Sequence, residues 1–209
     1  MPRPRIFVLA GVNGAGKSSI GGDILTRAGI AWFNPDTFTR ELVEATGSPL
    51  ADANAAAWQE GVRRLDAAIA HGENHAFETT LGGHTIAAKL RAANATHDVL
   101  MWFCGLDSPE HHIARVRLRA SLGGHDIPEP KIRERWHTSI ANLIALMPTL
   151  ARLRLYDNSR DAEPGTPVPD PRLLLQMEHG RIAFPTDTDT LRATPDWAKP
   201  ILESALSMR

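Results

Sequence analysis

Residues 5–22, RIFVLAGVNGAGKSSIGG, join a short apolar run to a stretch rich in glycine, lysine and serine. Gly11, Gly16, Lys17 and Ser18 follow the pattern G-x-x-x-x-G-K-[ST], which is the Walker A P-loop. Glycines at such positions let successive backbone N–H groups turn inward around phosphate oxygens at the start of a helix. The pattern therefore predicts a strand, a phosphate-binding loop and a helix in direct succession.

This loop predicts that the chain binds ATP together with Mg²⁺. Lys17 is expected to reach the β- and γ-phosphates, and the Ser18 hydroxyl is expected to hold the metal ion. A glycine-rich turn that merely connects a strand to a helix is the alternative interpretation, and the flanking apolar and helical patterns favour the nucleotide site. The expected ATP-binding residues are Gly11, Asn13, Gly14, Ala15, Gly16, Lys17, Ser18 and Ser19.

The composition is that of an ordinary globular protein. Of the 209 residues, 43% are hydrophobic and 22% are charged, which suits one well-cored domain. A formal net charge of −1 argues against duplex DNA or an anionic membrane as a partner. The longest strongly apolar run, residues 99–106, is too short to span a bilayer, and no signal-peptide pattern begins the chain. We therefore expect a cytoplasmic protein.

Short apolar runs alternate with helical patterns through the first 160 residues, which indicates a parallel sheet. The predicted fold class is α/β, a three-layer sandwich of the P-loop NTPase type with a mainly parallel five-stranded sheet. The predicted strands are Arg5–Ala10, Ala31–Asn34, His75–Glu78, Asp98–Phe103 and Leu153–Tyr156. The predicted helices are Lys17–Arg27, Asp36–Ala45, Asn54–His71, Thr85–Ala93, Pro109–Ser121 and Glu129–Leu150.

Residues 161–209 are predicted to form a C-terminal appendage packed on the same domain. Its first part, DAEPGTPVPDP (161–171), is rich in proline and acidic residues, which is typical of an exposed connection. RLLLQMEHGRIAFP (172–185) then predicts a small β-hairpin, and PDWAKPILESAL (195–206) predicts a closing helix.

Polar residues end two further predicted strands at the sheet edge where ligands bind in open α/β folds. FNPD (33–36) ends the second strand, and Asp36 is a candidate base for an acceptor hydroxyl. A helix N-cap is the alternative role for Asp36. FETTLGG (77–83) ends the third strand and suits a polyhydroxylated substrate. The candidate substrate contacts in it are Glu78, Thr79 and Thr80.

Residues 115–136 predict a lid over the phosphates, within a kinase domain that covers residues 1–160. Five arginines surround GGHDIPEP, whose glycines interrupt two helices and predict a hinge. A solvated basic surface is the alternative interpretation. Arg119 is the catalytic candidate, with the other lid arginines left open as alternatives. The remaining candidate lid residues are Arg115, Arg117, His125, Arg133 and Arg135.

Taken together, these motifs resemble the zeta-toxin family of P-loop kinases, and above all its chromosomal branch with a glycine-glycine-histidine lid. The motifs occur in the family's order between about Arg5 and Ser159: GVNGAGKSS, FNPD, FETTL, RVRLRASLGGHDIPEPKIRERW, SIANL and LYDNS. The resemblance implies a kinase that uses ATP and Mg²⁺ to phosphorylate the 3′-hydroxyl of the amino sugar in UDP-N-acetylglucosamine. It also implies an antitoxin protein as a partner.

The resemblance assigns roles residue by residue. The assignments are Asp36 as general base, Lys17 and Ser18 in the P-loop, Glu78 and Thr80 as sugar-nucleotide contacts, and His125 in place of a lid cation. The chain departs from the family pattern at LGG (81–83), directly after ETT. The plasmid-borne members of the zeta-toxin family have an arginine shortly after their counterpart of ETT, and this chain has no basic residue there. One substrate-phosphate contact is therefore missing or supplied elsewhere.

Alternatives to this function stay open at the level of the sequence. The first is a kinase of another nucleotide or sugar metabolite. The second is a nucleotide-binding switch that regulates a partner with little turnover. A nucleic acid acceptor is disfavoured, because the chain is near neutral and only 6% of its residues are aromatic.

Overall fold

Within the residues that the structure describes, six strands form one sheet with helices on both faces. This computed structural model describes residues 2–124, 126–162 and 167–208, apart from the side chains of residues 19, 23 and 24. The strands are β1 (Arg5–Ala10), β2 (His75–Thr79), β3 (Asp98–Gly105), β4 (Arg152–Asp157), β5 (Arg172–Glu178) and β6 (Arg181–Phe184). Their order is β2-β1-β3-β4-β5-β6, with β1 to β4 parallel and β5 and β6 antiparallel.

The helices confirm most of the predicted pattern. The first and fifth begin and end at the predicted residues, and the others differ by a few residues at their ends. The helices are α1 (Lys17–Arg27), α2 (Pro35–Thr46), α3 (Leu50–His71), α4 (His84–Ala93), α5 (Pro109–Ser121), α6 (Glu129–Leu146), α7 (Thr188–Arg192) and α8 (Lys199–Ser207). The predicted α/β class is therefore confirmed.

Alternate residues of β1 point to the two faces of the sheet, and both faces are buried. Ile6 and Val8 belong to the larger core, together with residues of α4, α6 and α8. Phe7 and Leu9 belong to a smaller core against Leu25 of α1. Continuous burial of this kind is expected for a central parallel strand covered by helices on both faces. The result is three layers, with the P-loop at the carboxyl end of β1.

The predicted strand Ala31–Asn34 is wrong. Only Phe33 pairs with the sheet, through an isolated bridge to Phe77 of β2. The chain cannot continue as a strand because Pro35 follows at once and α2 begins there, with Asn34 as its N-cap. This bridge nevertheless holds Asn34 and Asp36 beside the end of β2.

The prediction of a five-stranded sheet with a separate small hairpin is also wrong. The hairpin itself exists, but β5 pairs with β4 and so extends the main sheet to six strands. Trp197 and Ile201, near and within α8, are buried in the larger core. The predicted boundary at residue 160, between a main domain and a C-terminal appendage, stays a prediction. The sheet itself continues across this boundary, from β4 to β5.

The predicted end of α6 at Leu150 is four residues too late. The α-helix ends at Leu146, and Met147–Thr149 form a 3₁₀ turn. Pro148 lies in this turn, and its missing N–H prevents a regular continuation of the α-helix. Within the described part of the chain, no helix combines the length and the apolar character needed to cross a membrane.

Candidate active site

The P-loop adopts the backbone conformation that its glycines permit. Gly11, Gly14 and Gly16 have φ values of +138°, +84° and +83°. A Cβ on Gly16 would lie 2.5 Å from Nδ2 of Asn158, so a side chain there would collide with this amide as well as strain the backbone. Asn158 follows β4 and donates a hydrogen bond to the Ala15 carbonyl at 3.0 Å. The loop is therefore supported from the neighbouring strand.

Glu78, the fourth residue of β2, lies directly against the P-loop. The Lys17 ammonium and the Glu78 carboxylate are 3.4 Å apart, and both residues are less than a tenth exposed. Ser18 Oγ donates to Glu78 Oε2 at 2.7 Å, and Asn34 Nδ2 donates to the same oxygen at 3.2 Å. In this structure Glu78 therefore pairs with Lys17 and Ser18. It also lines the cavity beside the P-loop, and its contact with a substrate stays a prediction.

The oxygens of Ser18 and Glu78 fit a site for Mg²⁺. Hydroxyl and carboxylate oxygens are the donors that this hard cation prefers, and it usually takes one or two protein ligands beside phosphate and water. Ser18 was predicted as a metal ligand, and Glu78 is the second oxygen donor within hydrogen-bonding distance of it. When bound, Mg²⁺ would neutralise charge on the β- and γ-phosphates.

Asp36 is not the N-cap of α2, so the structural alternative for this residue is wrong. Asn34 is the cap, and its Oδ1 accepts hydrogen bonds from the backbone N–H groups of Asp36 and Thr37 at 2.8 and 3.2 Å. The Asp36 side chain is consequently left to face the cavity beside the P-loop. Its carboxylate lies 3.6 Å from Nη1 of Arg119, which is close enough for an ion pair.

The predicted lid arginines divide into two groups. Three of them form ion pairs with acidic residues and do not line the cavity. Arg119 lies near Asp36, and Arg135 lines the cavity and donates to Asn13 Oδ1 at 2.8 Å. The role of residues 115–136 as a lid stays a prediction. The three ion pairs are Arg115–Asp161, Arg117–Glu129 and Arg133–Glu110.

Burial lowers the pKa of the Arg135 guanidinium from its ordinary value, and the negative charge of Asp36 opposes this shift. The Asp36 carboxylate is therefore near enough to the Arg135 guanidinium to stabilise its positive charge. A guanidinium stays protonated at neutral pH even when partly buried. The cavity therefore contains positive charge opposite the candidate base.

The cavity itself has a volume of about 520 Å³ and runs from the P-loop to α3. Its charged lining residues are Lys17, Asp36, Glu78, Asp126, Lys131 and Arg135. Apolar side chains line it as well, among them Phe33, Leu50, Trp58, Val62, Phe77 and Ile86. Such a mixed lining suits a ligand that has both polar and apolar parts.

Thr79 and Thr80 line the cavity as predicted for substrate contacts. Thr79 Oγ1 accepts a hydrogen bond from the backbone N–H of Leu81 at 3.1 Å. Thr80 Oγ1 accepts one from the N–H of Gly82 at 3.5 Å. These bonds orient the hydroxyls and leave the hydroxyl hydrogens free to donate to a ligand.

His112 on α5 is a site residue that the sequence analysis missed. It is 1% exposed, and its Nδ1 donates to the backbone carbonyl of Asn13 at 2.8 Å. Burial lowers the pKa of its imidazole to about 4, so the ring is neutral at physiological pH. In the sequence, the only sign of this role was a histidine on the apolar face of a predicted helix. Its partner, Asn13 of the P-loop, lies 99 residues earlier in the chain, so the contact could not be predicted from local patterns.

Two predicted site positions cannot be placed. His125 lies outside the described residues, and so does the side chain of Ser19. The other predicted P-loop, base, substrate and lid residues are all within the described part of the chain.

Solved structures share this arrangement of sheet, loop and helices. No protein-family model matches the chain, and no curated protein matches it. A chain of the AvrRxo1-ORF1:-ORF2 complex, crystallised with ATP, matches 97% of this chain with a TM-score of 0.65 and 16% identity. The match spans 64% of that protein's length, which is a little less than two thirds.

Two other matches extend the comparison. A chain of the PezAT chromosomal toxin–antitoxin system of Streptococcus pneumoniae matches 100% of this chain and 86% of its own, with a TM-score of 0.57 and 15% identity. A putative kinase from Chloroflexus aurantiacus matches 64% of this chain and 80% of its own, with a TM-score of 0.53 and 14% identity. The chain shares the α/β fold of these structures. At identities below 20% this likeness concerns the fold alone, and the chemistry depends on the residues of the site.

Proposed function

We propose that the chain is an ATP-dependent small-molecule kinase of the zeta-toxin type, which transfers the γ-phosphoryl group to a hydroxyl of a sugar nucleotide. The observation that carries this proposal is that Asp36, a carboxylate not used as a helix cap, lines the same cavity as Lys17 of the P-loop. A base and a phosphate-binding lysine facing one cavity are the minimum that phosphoryl transfer requires.

The donor half of the site consists of the P-loop and its partners. Backbone N–H groups of the loop and the Lys17 ammonium hold the β- and γ-phosphates of ATP. Ser18 and Glu78 supply the oxygen ligands for Mg²⁺. Asn158 and His112 support the loop from β4 and α5, so that its N–H groups keep their orientation.

The acceptor half is centred on Asp36. Its carboxylate orients the acceptor hydroxyl and takes its proton as the oxygen attacks the γ-phosphorus. The new bond is oxygen to phosphorus, and the broken bond joins that phosphorus to the β–γ bridging oxygen, which leaves with ADP. We assign to Arg119 the role of stabilising the charge of the phosphoryl group in flight. The support for this role is that its guanidinium lies within ion-pair distance of Asp36.

UDP-N-acetylglucosamine is the acceptor that the resemblance to zeta toxins favours, through its 3′-hydroxyl. The mixed lining of the cavity, with charged residues such as Lys17 and Asp36 and apolar ones such as Trp58, supports an acceptor that has polar and apolar parts. Another nucleotide or sugar metabolite is the alternative acceptor.

ADP release in the presence of ATP and Mg²⁺ tests this function. UDP-N-acetylglucosamine, free sugars and nucleotides are offered as acceptors, and the product is identified by its added phosphate. Acceptor-dependent ADP release is the expected result. Tight ATP binding without stimulation by any acceptor would instead support a nucleotide-binding switch with little turnover.

The same proposal includes a protein partner of the antitoxin kind. Its support is that two of the matching structures come from the AvrRxo1-ORF1:-ORF2 complex and the PezAT toxin–antitoxin system. If the kinase acts as a toxin, its expression should arrest bacterial growth, and Lys17→Ala should not. Normal growth with the active enzyme would contradict the need for an antitoxin.

A further inference from the structure

We propose that Asn13 and Gly82 are positioning residues of the kinase, and that both act through the guanidinium of Arg135. Asn13 holds this group by a hydrogen bond from the P-loop, and Gly82 leaves room for the arginine just after β2. The inference rests on the proposed function, in which positive charge beside Asp36 stabilises the phosphoryl group during transfer. It adds a physical link between the P-loop and a side chain of α6.

Arg135 lines the cavity that also contains Lys17 and Asp36. None of the ion pairs found among the described residues includes Arg135, so no carboxylate in that part of the chain fixes the direction of its guanidinium. The bond from Arg135 Nη1 to Asn13 Oδ1, at 2.8 Å, is the hydrogen bond that does so. A bond from a charged donor is stronger than one between neutral groups, so this contact is suited to the task.

Asn13 joins the P-loop to two helices through two different oxygens. Its backbone carbonyl accepts from His112 of α5, and its side-chain carbonyl accepts from Arg135 of α6. Asn13 is 6% exposed, so water has little access to replace a lost acceptor. A substitution of the side chain therefore removes the bond to Arg135 and leaves the bond to His112 in place.

Gly82 contacts the same arginine nearer to its backbone. A Cβ on Gly82 would lie 2.7 Å from Cγ of Arg135 and 3.2 Å from its Cβ. These atoms form the base of the side chain, so displacing them moves the guanidinium away from Asn13. A Cβ on the next residue, Gly83, would have no neighbour within 4 Å, and its φ of −107° is one that alanine adopts. The two glycines thus form a matched pair for substitution.

A double-mutant cycle tests whether Asn13 acts through Arg135. The four proteins are the wild type, Asn13→Ala, Arg135→Ala and the double variant, and kcat is measured as ADP release at saturating ATP and acceptor. Asn13→Ala should lower kcat about tenfold or more, the scale for a lost hydrogen bond to a charged group. In the Arg135→Ala background it should cause no further loss, because the group that Asn13 holds is already absent.

Two readouts separate this role from general support of the P-loop. ADP lacks the γ-phosphate, so its affinity, measured calorimetrically, should stay near wild type in Asn13→Ala. Asn13→Asp keeps an oxygen acceptor, so its kcat at saturating ATP should exceed that of Asn13→Ala. Asn94→Ala, which removes an amide at the end of α4, is the control and should keep the wild-type kcat.

The glycine pair gives an independent test. Gly82→Ala should lower kcat to about the level of Asn13→Ala, because its Cβ displaces Arg135. Gly83→Ala should keep the wild-type kcat, and melting temperatures show whether both variants are folded. Equal rates in the two variants would overturn the role of Gly82.

Multiplied losses in the double variant, or an unchanged kcat in Asn13→Ala, would overturn the positioning role of Asn13 and leave the kinase intact. If the wild type phosphorylates no acceptor, the kinase proposal fails, and the contact is judged by the free energy of unfolding of the same four proteins. Effects of the two substitutions that sum to more than the effect of the double variant support the contact. Additive effects overturn it.

Discussion

The Asp36 carboxylate is not needed at the start of α2, because the asparagine two positions before it caps the helix. Asn34 accepts the capping hydrogen bonds with its Oδ1, while its Nδ2 donates to Glu78 at the end of β2. One side chain therefore completes the helix end and orients Glu78 beside Ser18 and Lys17. At the residue scale, this role of Asn34 leaves the Asp36 carboxylate at the cavity, where we propose that it acts as the base.

Replacing Asp36 by asparagine should lower kcat for phosphoryl transfer about a hundredfold or more, the usual scale for the loss of a general base. The helix cap is unaffected, so ATP affinity and the melting temperature should stay near wild type. Steady-state ADP release and calorimetric ATP titration measure the two effects. Glu44→Gln, an exposed acid on the same helix, is the matched control. A normal rate in Asp36→Asn would exclude Asp36 as the base.

Glu78→Gln should raise the Mg²⁺ concentration for half-maximal activity by about tenfold, which is the usual scale when a partner of a metal site is altered. The change keeps the size of the side chain but removes the negative charge beside Ser18 and Lys17. A magnesium titration of the rate provides the measurement, and Glu73→Gln, exposed just before β2, is the control. An unchanged titration curve would mean that Glu78 serves only to pair with Lys17.

At the scale of elements, α5 connects the lid to the P-loop. His112 on this helix bonds to the Asn13 carbonyl, and Arg119, two turns further on, reaches Asp36. The same helix therefore contacts the P-loop at one position and the candidate base at another.

The buried His112 should make stability depend on pH in a defined window. The unfolded chain takes up a proton near the ordinary pKa of 6.5, whereas the folded chain does so only near the lowered value of about 4. The free energy of unfolding should therefore fall as the pH drops from about 6.5 to about 4, because protons then bind the unfolded state preferentially. Urea unfolding across this range measures the fall.

His112→Asn keeps a hydrogen-bond donor but cannot titrate, so its stability should decline less steeply over the same pH window. The exposed His137→Asn serves as the control and should keep the wild-type slope. Identical slopes for wild type and His112→Asn would show that the imidazole is not buried in its neutral form.

At the scale of the whole molecule, residues 197–205 complete the larger core of the α/β fold. Trp197 is 5% exposed, and its Nε1 donates to Asp157 Oδ1 at 3.3 Å. Its ring lies so close to Gly105 of β3 that a Cβ at this position would be 2.2 Å from the Trp197 ring atom Cη2. Gly105 and Asp157 end β3 and β4, next to the P-loop. Trp197 thus packs against the ends of β3 and β4.

Trp197→Ala should lower the free energy of unfolding by about 3–5 kcal/mol, the usual cost of removing a large buried aromatic side chain. Urea denaturation gives this value directly. Val168→Ala, at a position that is 76% exposed, should change it by less than about 0.5 kcal/mol. A small effect of Trp197→Ala would indicate that residues after 160 pack only loosely on the domain.

The local signals in the sequence determined the P-loop, α1, the parallel strands beside it and the polar residues at their carboxyl ends. These features depend on periodicity and on glycines at fixed offsets, which act over a few residues and can be read along the chain. The prediction of Lys17 and Thr80 at one cavity follows from that, since β1 and β2 are parallel and end at the same edge. Asp36 lies there too, although it follows an isolated bridge and not the strand that was predicted.

Only the tertiary structure decided the pairings between distant residues. The bridge at Phe33, the joining of β5 to β4, the contact of Glu78 with Ser18 and the packing of Arg135 on Gly82 all depend on which elements meet. The ion pairs of Arg115, Arg117 and Arg133 have the same origin, because a charge pattern along the chain does not specify which acidic residue lies within reach. Packing between distant segments thus decided that Arg135 lines the cavity and that these three do not.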